Sequence, residues 1–157
     1  MNVFVEKTCC FSGHRNIPEN KYDLICNSVE ETIDKLVGEG YRYFGTGGAL
    51  GFDTIAAKAV LKAKLKYPHI RLILVLPCVS QAKLWSERDI QIYEDIKKRA
   101  DKVVYTNIEY TNNCMQKRNR HLVDNSSVCV CYINKSSGGT YYTVNYAKRK
   151  GLRVINV

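Results

Sequence analysis

The stretch Ile70-Arg71-Leu72-Ile73-Leu74-Val75-Leu76 decides the fold. Its residues are apolar at both odd and even positions, the pattern of a central strand in a parallel sheet covered by helices on both faces. Pro77 ends it. Working outward, Leu50–Tyr67 is rich in Ala, Leu and Lys and reads as a helix that stops before Pro68. Tyr41–Phe44 reads as a strand broken by Gly45-Thr46-Gly47-Gly48, and Lys7–Phe11 as a strand running into Ser12-Gly13. Between them, Leu24, Ile25, Val29, Ile33, Leu36 and Val37 recur at helical spacing after Pro18-Glu19-Asn20, and Gly38 and Gly40 close that helix.

On the other side, Gln81–Ala100 reads as helix, Lys102–Tyr105 as strand and Asn113–Asp124 as helix. Val128–Ile133 is a further apolar strand. Ser136-Ser137-Gly138-Gly139-Thr140 opens a helix that runs to Lys150, and Leu152–Val157 closes the chain as a strand. Strand and helix alternate throughout. The expected fold is therefore α/β, a three-layer, Rossmann-like, doubly wound and mainly parallel sheet, with residues 1–157 as one domain.

A chain of 157 residues buries roughly two-thirds of the surface its unfolded form exposes, so no disulfide or metal staple is required. No apolar run approaches the about 20 residues of a membrane span. The N-terminus lacks the basic and apolar regions of a signal peptide, which points to the cytoplasm. Seven cysteines make an odd number without zinc-ligand spacing. Cys9-Cys10 and Cys129/Cys131 lie in strand-like runs and read as buried thiols. No metal and no cofactor is expected.

The net charge of +9 raises nucleic acid as a partner. Residues 1–57 hold five Lys and Arg against eight Asp and Glu, whereas residues 58–157 hold nineteen against seven. Much of that excess lies in Lys58/Lys62/Lys64/Lys66, Lys97-Lys98-Arg99 and Lys148-Arg149-Lys150, toward the ends of expected helices, where cations complement the helix dipole. Ligands of such sheets bind beyond the opposite edge, at the carboxyl ends of the strands. That placement disfavours nucleic acid.

At the ligand edge lie Ser12-Gly13-His14-Arg15, Gly45–Asp53, a stripe of Gln81, Trp85, Asp89 and Tyr93, and Ser136–Thr140. Glycines at a helix start let a phosphate approach backbone N–H groups. Neither glycine loop matches GxxxxGK[ST] or GxGxxG, which disfavours a P-loop and a standard dinucleotide fingerprint. The candidate ligand residues are Ser12, Gly13, His14, Arg15, Gly47, Gly48, Gly51, Asp53, Trp85, Arg118, Ser137, Gly138, Gly139 and Thr140. Several carry two readings. Arg118 either snorkels at the surface or holds a phosphate or ribose, and His14 either donates to a ligand or bonds its own loop. Trp85 either stacks on a base or belongs to the core, and Asp53 either bonds a ribose hydroxyl or braces its loop.

Ser12-Gly13-His14-Arg15, Gly48-Ala49-Leu50-Gly51-Phe52-Asp53, the Gln81/Trp85/Asp89/Tyr93 stripe, Cys114–Arg120 and Gly138-Gly139-Thr140 together resemble the YpsA-like, DprA-related branch of the SLOG superfamily over essentially the whole chain. The resemblance implies a Rossmann-like homo-oligomer that binds a nucleotide or nucleotide-derived small molecule. LOG-type relatives hydrolyse nucleoside monophosphates, and Met115-Gln116-Lys117-Arg118 is similar to their first motif, with Arg118 the residue such an activity would use. Their second motif is incomplete: Tyr142 and Thr143 stand where acid residues are expected, and no Asp or Glu follows Gly139. That loss removes the group expected to activate water. DprA-type relatives imply single-stranded DNA binding through patterns similar to Gly51-Phe52-Asp53 and Ser137–Thr140. SLOG sensor domains of Thoeris-type defence proteins imply binding of cyclic ADP-ribose signals.

Overall fold

A computed structural model describes residues 2–157. Its six strands are β1 (Thr8–Gly13), β2 (Tyr43–Thr46), β3 (Arg71–Leu76), β4 (Lys102–Tyr105), β5 (Val128–Tyr132) and β6 (Arg153–Asn156). They form one sheet in the order β4-β3-β2-β1-β5-β6, and every pairing is parallel. The helices are α1 (Val3–Glu6), α2 (Tyr22–Gly38), α3 (Phe52–Lys66), α4 (Glu87–Arg99), α5 (Cys114–Asp124) and α6 (Gly139–Arg149). This is the expected Rossmann-like architecture, with the sheet wholly rather than mainly parallel.

Side-chain alternation along the strands sorts the core into two layers. Cys9, Phe11, Phe44, Leu72, Leu74, Leu76, Val128 and Val130 pack with α2, α3 and the inner face of α4. Cys10, Val75, Cys129 and Cys131 face the other way, against Leu122 and Val123 of α5 and Val144 and Ala147 of α6. The strand cysteines are free buried thiols, as expected, and burial pushes Cys131 up to about 11. No helix among the described residues is long and apolar enough to cross a membrane.

Three expectations are corrected in detail. The helix expected over Gln81–Ala100 begins only at Glu87, because the Ser86 hydroxyl caps it by accepting from the Asp89 N–H at 3.1 Å. Gln81–Trp85 therefore precede the helix as turns. The second strand lies two residues later than expected: Gly45 and Thr46 belong to β2, since Gly45 sits in register between Cys10 and Ile73. Helix α1 was not foreseen; Val3-Phe4-Val5 is too short for periodicity to register, and its cap is Asn2, which accepts from the Phe4 N–H.

The chain builds β1 to β4 toward one sheet edge, then crosses back to add β5 beside β1. The carboxyl ends of β1 and β5 thus flank the switch point, where open α/β sheets leave a crevice.

Candidate functional site

Two clefts open at this edge and share Arg15 and Asp53. The first, of about 300 Å³, occupies the switch point. Ser12, Gly13, His14, Arg15, Asp53, Arg118, Ser137, Gly138, Gly139 and Thr140 all line it. The second, of about 550 Å³, lies between α3 and α4, where Gly48, Gly51 and Trp85 join Arg15 and Asp53. Ten sequence-derived candidates therefore converge on one cleft and three more on its neighbour. Gly47 lines neither. It packs under Arg118, where a Cβ would come within 2.6 Å of the guanidinium carbon.

Arg118 is 4% exposed, which overturns the surface-snorkelling reading. It lines the switch-point cleft, where its Nη2 meets only the Met115 sulfur at 3.7 Å. Its Nη1 donates to the Gly47 carbonyl and its Nε to Asn119 Oδ1 at 2.7 Å. Asp53, 7% exposed, accepts from the Ala49 N–H at 3.2 Å and so braces its own loop. Burial raises the Asp53 pKa, and the charge of Arg118 opposes that rise. Burial also lowers Arg118, with Asp53 pulling the other way. The two form a buried, electrostatically coupled pair beneath the site.

His14 lines the switch-point cleft and is held by the loop after β5. Its Nε2 accepts from the Asn134 N–H at 3.1 Å, joining the β1 and β5 loops across the switch point. Burial, then Lys135, depresses its pKa. Arg15 is exposed and reaches both clefts. Trp85 is half-buried and meets Tyr93 edge-on, with ring centroids 5.2 Å apart. The four-residue stripe is thus rebuilt without a continuous helix: Trp85, Asp89 and Tyr93 share the larger cleft. Gln81 stands close to Tyr93, yet neither its Oε1 nor the phenol hydroxyl has a hydrogen-bond partner.

The two glycine loops differ in kind. Gly51 holds φ +76°, and a side chain there would overlap the Arg15 carbonyl. The α3 N-terminus it precedes carries Asp53 in its first turn, a built-in anion. Gly138 holds φ +95° at the start of α6, but nothing lies within 4 Å of a Cβ there or at Gly139. Helix α6 has no side-chain cap and no acidic residue in its first turn. Its N–H donors face an open cleft, the arrangement that favours an anion.

Lys135, which lines the switch-point cleft, and Lys58 and Arg88, which line the larger one, were missed. Lys135 adjoins the Ser136–Thr140 loop, a signal available in the sequence. Lys58 was assigned to the far edge with the α3 lysines. Only Lys64 and Lys66 occupy the last turn, however, and Lys58 sits near the helix start. The other two basic clusters do fall in the last turns of α4 and α6.

The topology and these clefts define a Rossmann-like α/β protein with its crevice at the β1/β5 switch point. Comparison with known proteins sharpens that class. The YpsA model, described as the YspA SLOG family, matches residues 11–154, and the chain belongs to this family. It is 33% identical over 139 residues to the SPbeta prophage-derived protein YoqJ of Bacillus subtilis, across 81% of this chain and 80% of that one. Among solved structures, DNA processing protein A of Streptococcus pneumoniae superposes with a TM-score of 0.68 at 19% identity, over 95% of this chain and 49% of the other. DNA processing protein A of Helicobacter pylori, solved for its single-stranded DNA binding mode, gives 0.67 at 16% identity, over 96% and 64%. The chain thus spans about half and under two-thirds of those two proteins, and at such identities the likeness is one of fold.

Proposed function

We propose that the chain binds a nucleotide or nucleotide-derived small molecule of ADP-ribose, cyclic ADP-ribose or nucleoside monophosphate type, as a sensor or sequestering protein. The observation that supports this most is the pair of clefts with different chemistry meeting at Arg15. The polar cleft offers phosphate-compatible groups: the open α6 N-terminus, Lys135 and the Arg15 guanidinium. The larger cleft offers Trp85 and Tyr93 as an aromatic wall for a base, with Lys58 and Arg88 at its rim. Arg118 and Asp53 hold the Gly47–Gly51 loop through the Gly47 carbonyl and the Ala49 N–H and also line the polar cleft.

Binding fits the site better than hydrolysis. Asp53 is the one carboxylate among the described residues lining the switch-point cleft, its Oδ2 accepts from the Ala49 N–H, and Tyr142 and Thr143 stand where the hydrolytic pattern has acids. Hydrolysis of a glycosidic bond ordinarily uses a pair of carboxylates. A cytoplasmic homo-oligomer completes the proposal, and light scattering during gel filtration tests the assembly.

Calorimetric titration with NAD, ADP-ribose, cyclic ADP-ribose isomers, AMP and cyclic dinucleotides tests the binding. At least one is expected to bind below millimolar, with the affinity lost in Arg15→Ala. A folded protein that binds none of them overturns the proposal. Release of free base from any of them, seen by chromatography, would replace binding with hydrolysis.

A further inference from the structure

We infer that Asp89 makes the larger cleft selective for guanine among the nucleobases. This rests on that cleft being a base site and narrows the ligand to a guanosine phosphate.

The cleft, of about 550 Å³, lies between α3 and α4. Leu50, Ala57, Leu74, Ile92 and Ile96 line it beside the rings of Trp85 and Tyr93. Such apolar walls hold a flat ring and leave its identity to the few polar groups set among them. Most of those groups are already engaged. The Thr54 hydroxyl donates to the Ala49 carbonyl at 3.1 Å, the Ser86 hydroxyl caps α4, and Asp53 accepts from the Ala49 N–H. Arg15, Lys58 and Arg88 are exposed and carry only donors.

Asp89 differs from all of these. Ser86-x-x-Asp89 has the spacing of a capping box, in which the acid would accept from the N–H of the cap residue. Half of the box forms: the Ser86 hydroxyl accepts from the Asp89 N–H at 3.1 Å. The reciprocal bond, from the Ser86 N–H to the Asp89 carboxylate, is absent among the described residues. Among those residues Asp89 also forms no ion pair, although three cations line the same cleft. Asp89 lies one helical turn before Tyr93 and shares that face of α4 with it. A half-buried, unpaired carboxylate on an aromatic and apolar wall calls for donors.

A carboxylate accepts two parallel N–H groups, one on each oxygen. Guanine presents that pair, its N1–H beside its N2 amino group. Adenine sets its amino donor beside the N1 lone pair, which repels a carboxylate. Hypoxanthine has the N1–H alone, and xanthine sets N1–H beside a carbonyl. Neither kind of pyrimidine, amino or dicarbonyl, offers two ring-edge donors side by side.

Calorimetric titration of the full chain with the 5′-monophosphates of guanosine, inosine, xanthosine and adenosine tests the inference. Guanosine monophosphate should bind roughly 10–100-fold more tightly than the other three, the weight of a hydrogen bond to a charged group. Asp89→Asn exchanges one acceptor for a donor. Guanosine monophosphate should then weaken by that factor and xanthosine monophosphate overtake it, an exchange that lost packing does not produce. Glu87→Gln removes an acid from the same first turn, but Glu87 does not line the cleft, so the order should stay unchanged. Circular dichroism checks both variants, and the ranking on the unsubstituted protein stands without either.

Adenosine or inosine monophosphate binding as tightly as guanosine monophosphate overturns the inference alone. So does an unchanged order in Asp89→Asn, an equal shift in Glu87→Gln, or binding of ADP-ribose with none of the four monophosphates. Binding of no nucleotide at all overturns the base-site reading along with it.

Discussion

Replacing Arg118 with Met keeps most of its volume and removes its charge and donors. In the folded protein the guanidinium donates to the Gly47 carbonyl, and its charge acts on the buried carboxyl of Asp53 in the lining of the same cleft. Stranding a buried acceptor costs about 1–3 kcal/mol. Removing the positive charge also raises the cost of ionising the buried Asp53 carboxyl, whose pKa the Arg118 charge lowers against burial, although the two make no direct ion pair. A loss of about 3 kcal/mol lowers the melting temperature of a domain this size by about 6–12 °C.

The loss should depend on pH, and the sign follows from Asp53. Burial holds its folded pKa above the unfolded value of about 3.9, and Arg118 limits that rise. A carboxyl of this kind favours the folded state below its unfolded pKa, and that advantage disappears as pH rises through the folded value. Without Arg118 the folded pKa rises further, so the deficit of the variant is largest at neutral pH and narrows toward pH about 4. Urea unfolding at several pH values measures this directly. Adding Asp53→Asn should recover part of the neutral-pH deficit, the mark of two coupled sites. A deficit below about 1 kcal/mol, or one independent of pH, would refute the coupling.

Gly51→Ala should destabilise by more than about 2 kcal/mol, through positive φ and overlap with Arg15, whereas Gly139→Ala should be neutral or slightly stabilising in thermal melts. Gly139→Ala should nonetheless weaken ligand binding, since its methyl group would enter the open cleft. Trp85 is the single tryptophan, so ligand entry into the larger cleft should change intrinsic emission, a signal that Trp85→Phe abolishes. His14 has a folded pKa below its unfolded value, so the stability it contributes is lost as pH falls through this range. The protection of the Asn134 amide, its exchange rate corrected for the intrinsic pH dependence, should fall on acidification, and His14→Ala should remove that fall.

Much of the candidate site is legible because strand-to-helix junctions announce themselves. Gly13, Gly51, Gly138 and Gly139 punctuate apolar runs, and all four lie at the ligand edge. The stripe from Gln81 to Tyr93 was legible in composition and misread in shape. Periodicity of four suggests a helix, but it could not register that the Ser86 hydroxyl would start the helix there. Basic residues were harder still. Arg149 belongs to a cluster that complements a helix end, yet its exposed side also lines the α5–α6 seam, a relation set by packing of two helices.

The amino-acid order alone determined the alternation of strand and helix, and with it the sheet edge where ligands gather. Local pattern suffices there, because strand and helix periods and glycine breaks act over a few residues. Only the tertiary structure decided which polar groups at that edge are free. Arg118 is engaged by the carbonyl of Gly47, 71 positions away, and the imidazole of His14 by Asn134, 120 positions away. Arg15, which no sequence pattern separates from Arg118, is left exposed between the two clefts. A buried polar group must find a partner, and the chain brings that partner near only by folding.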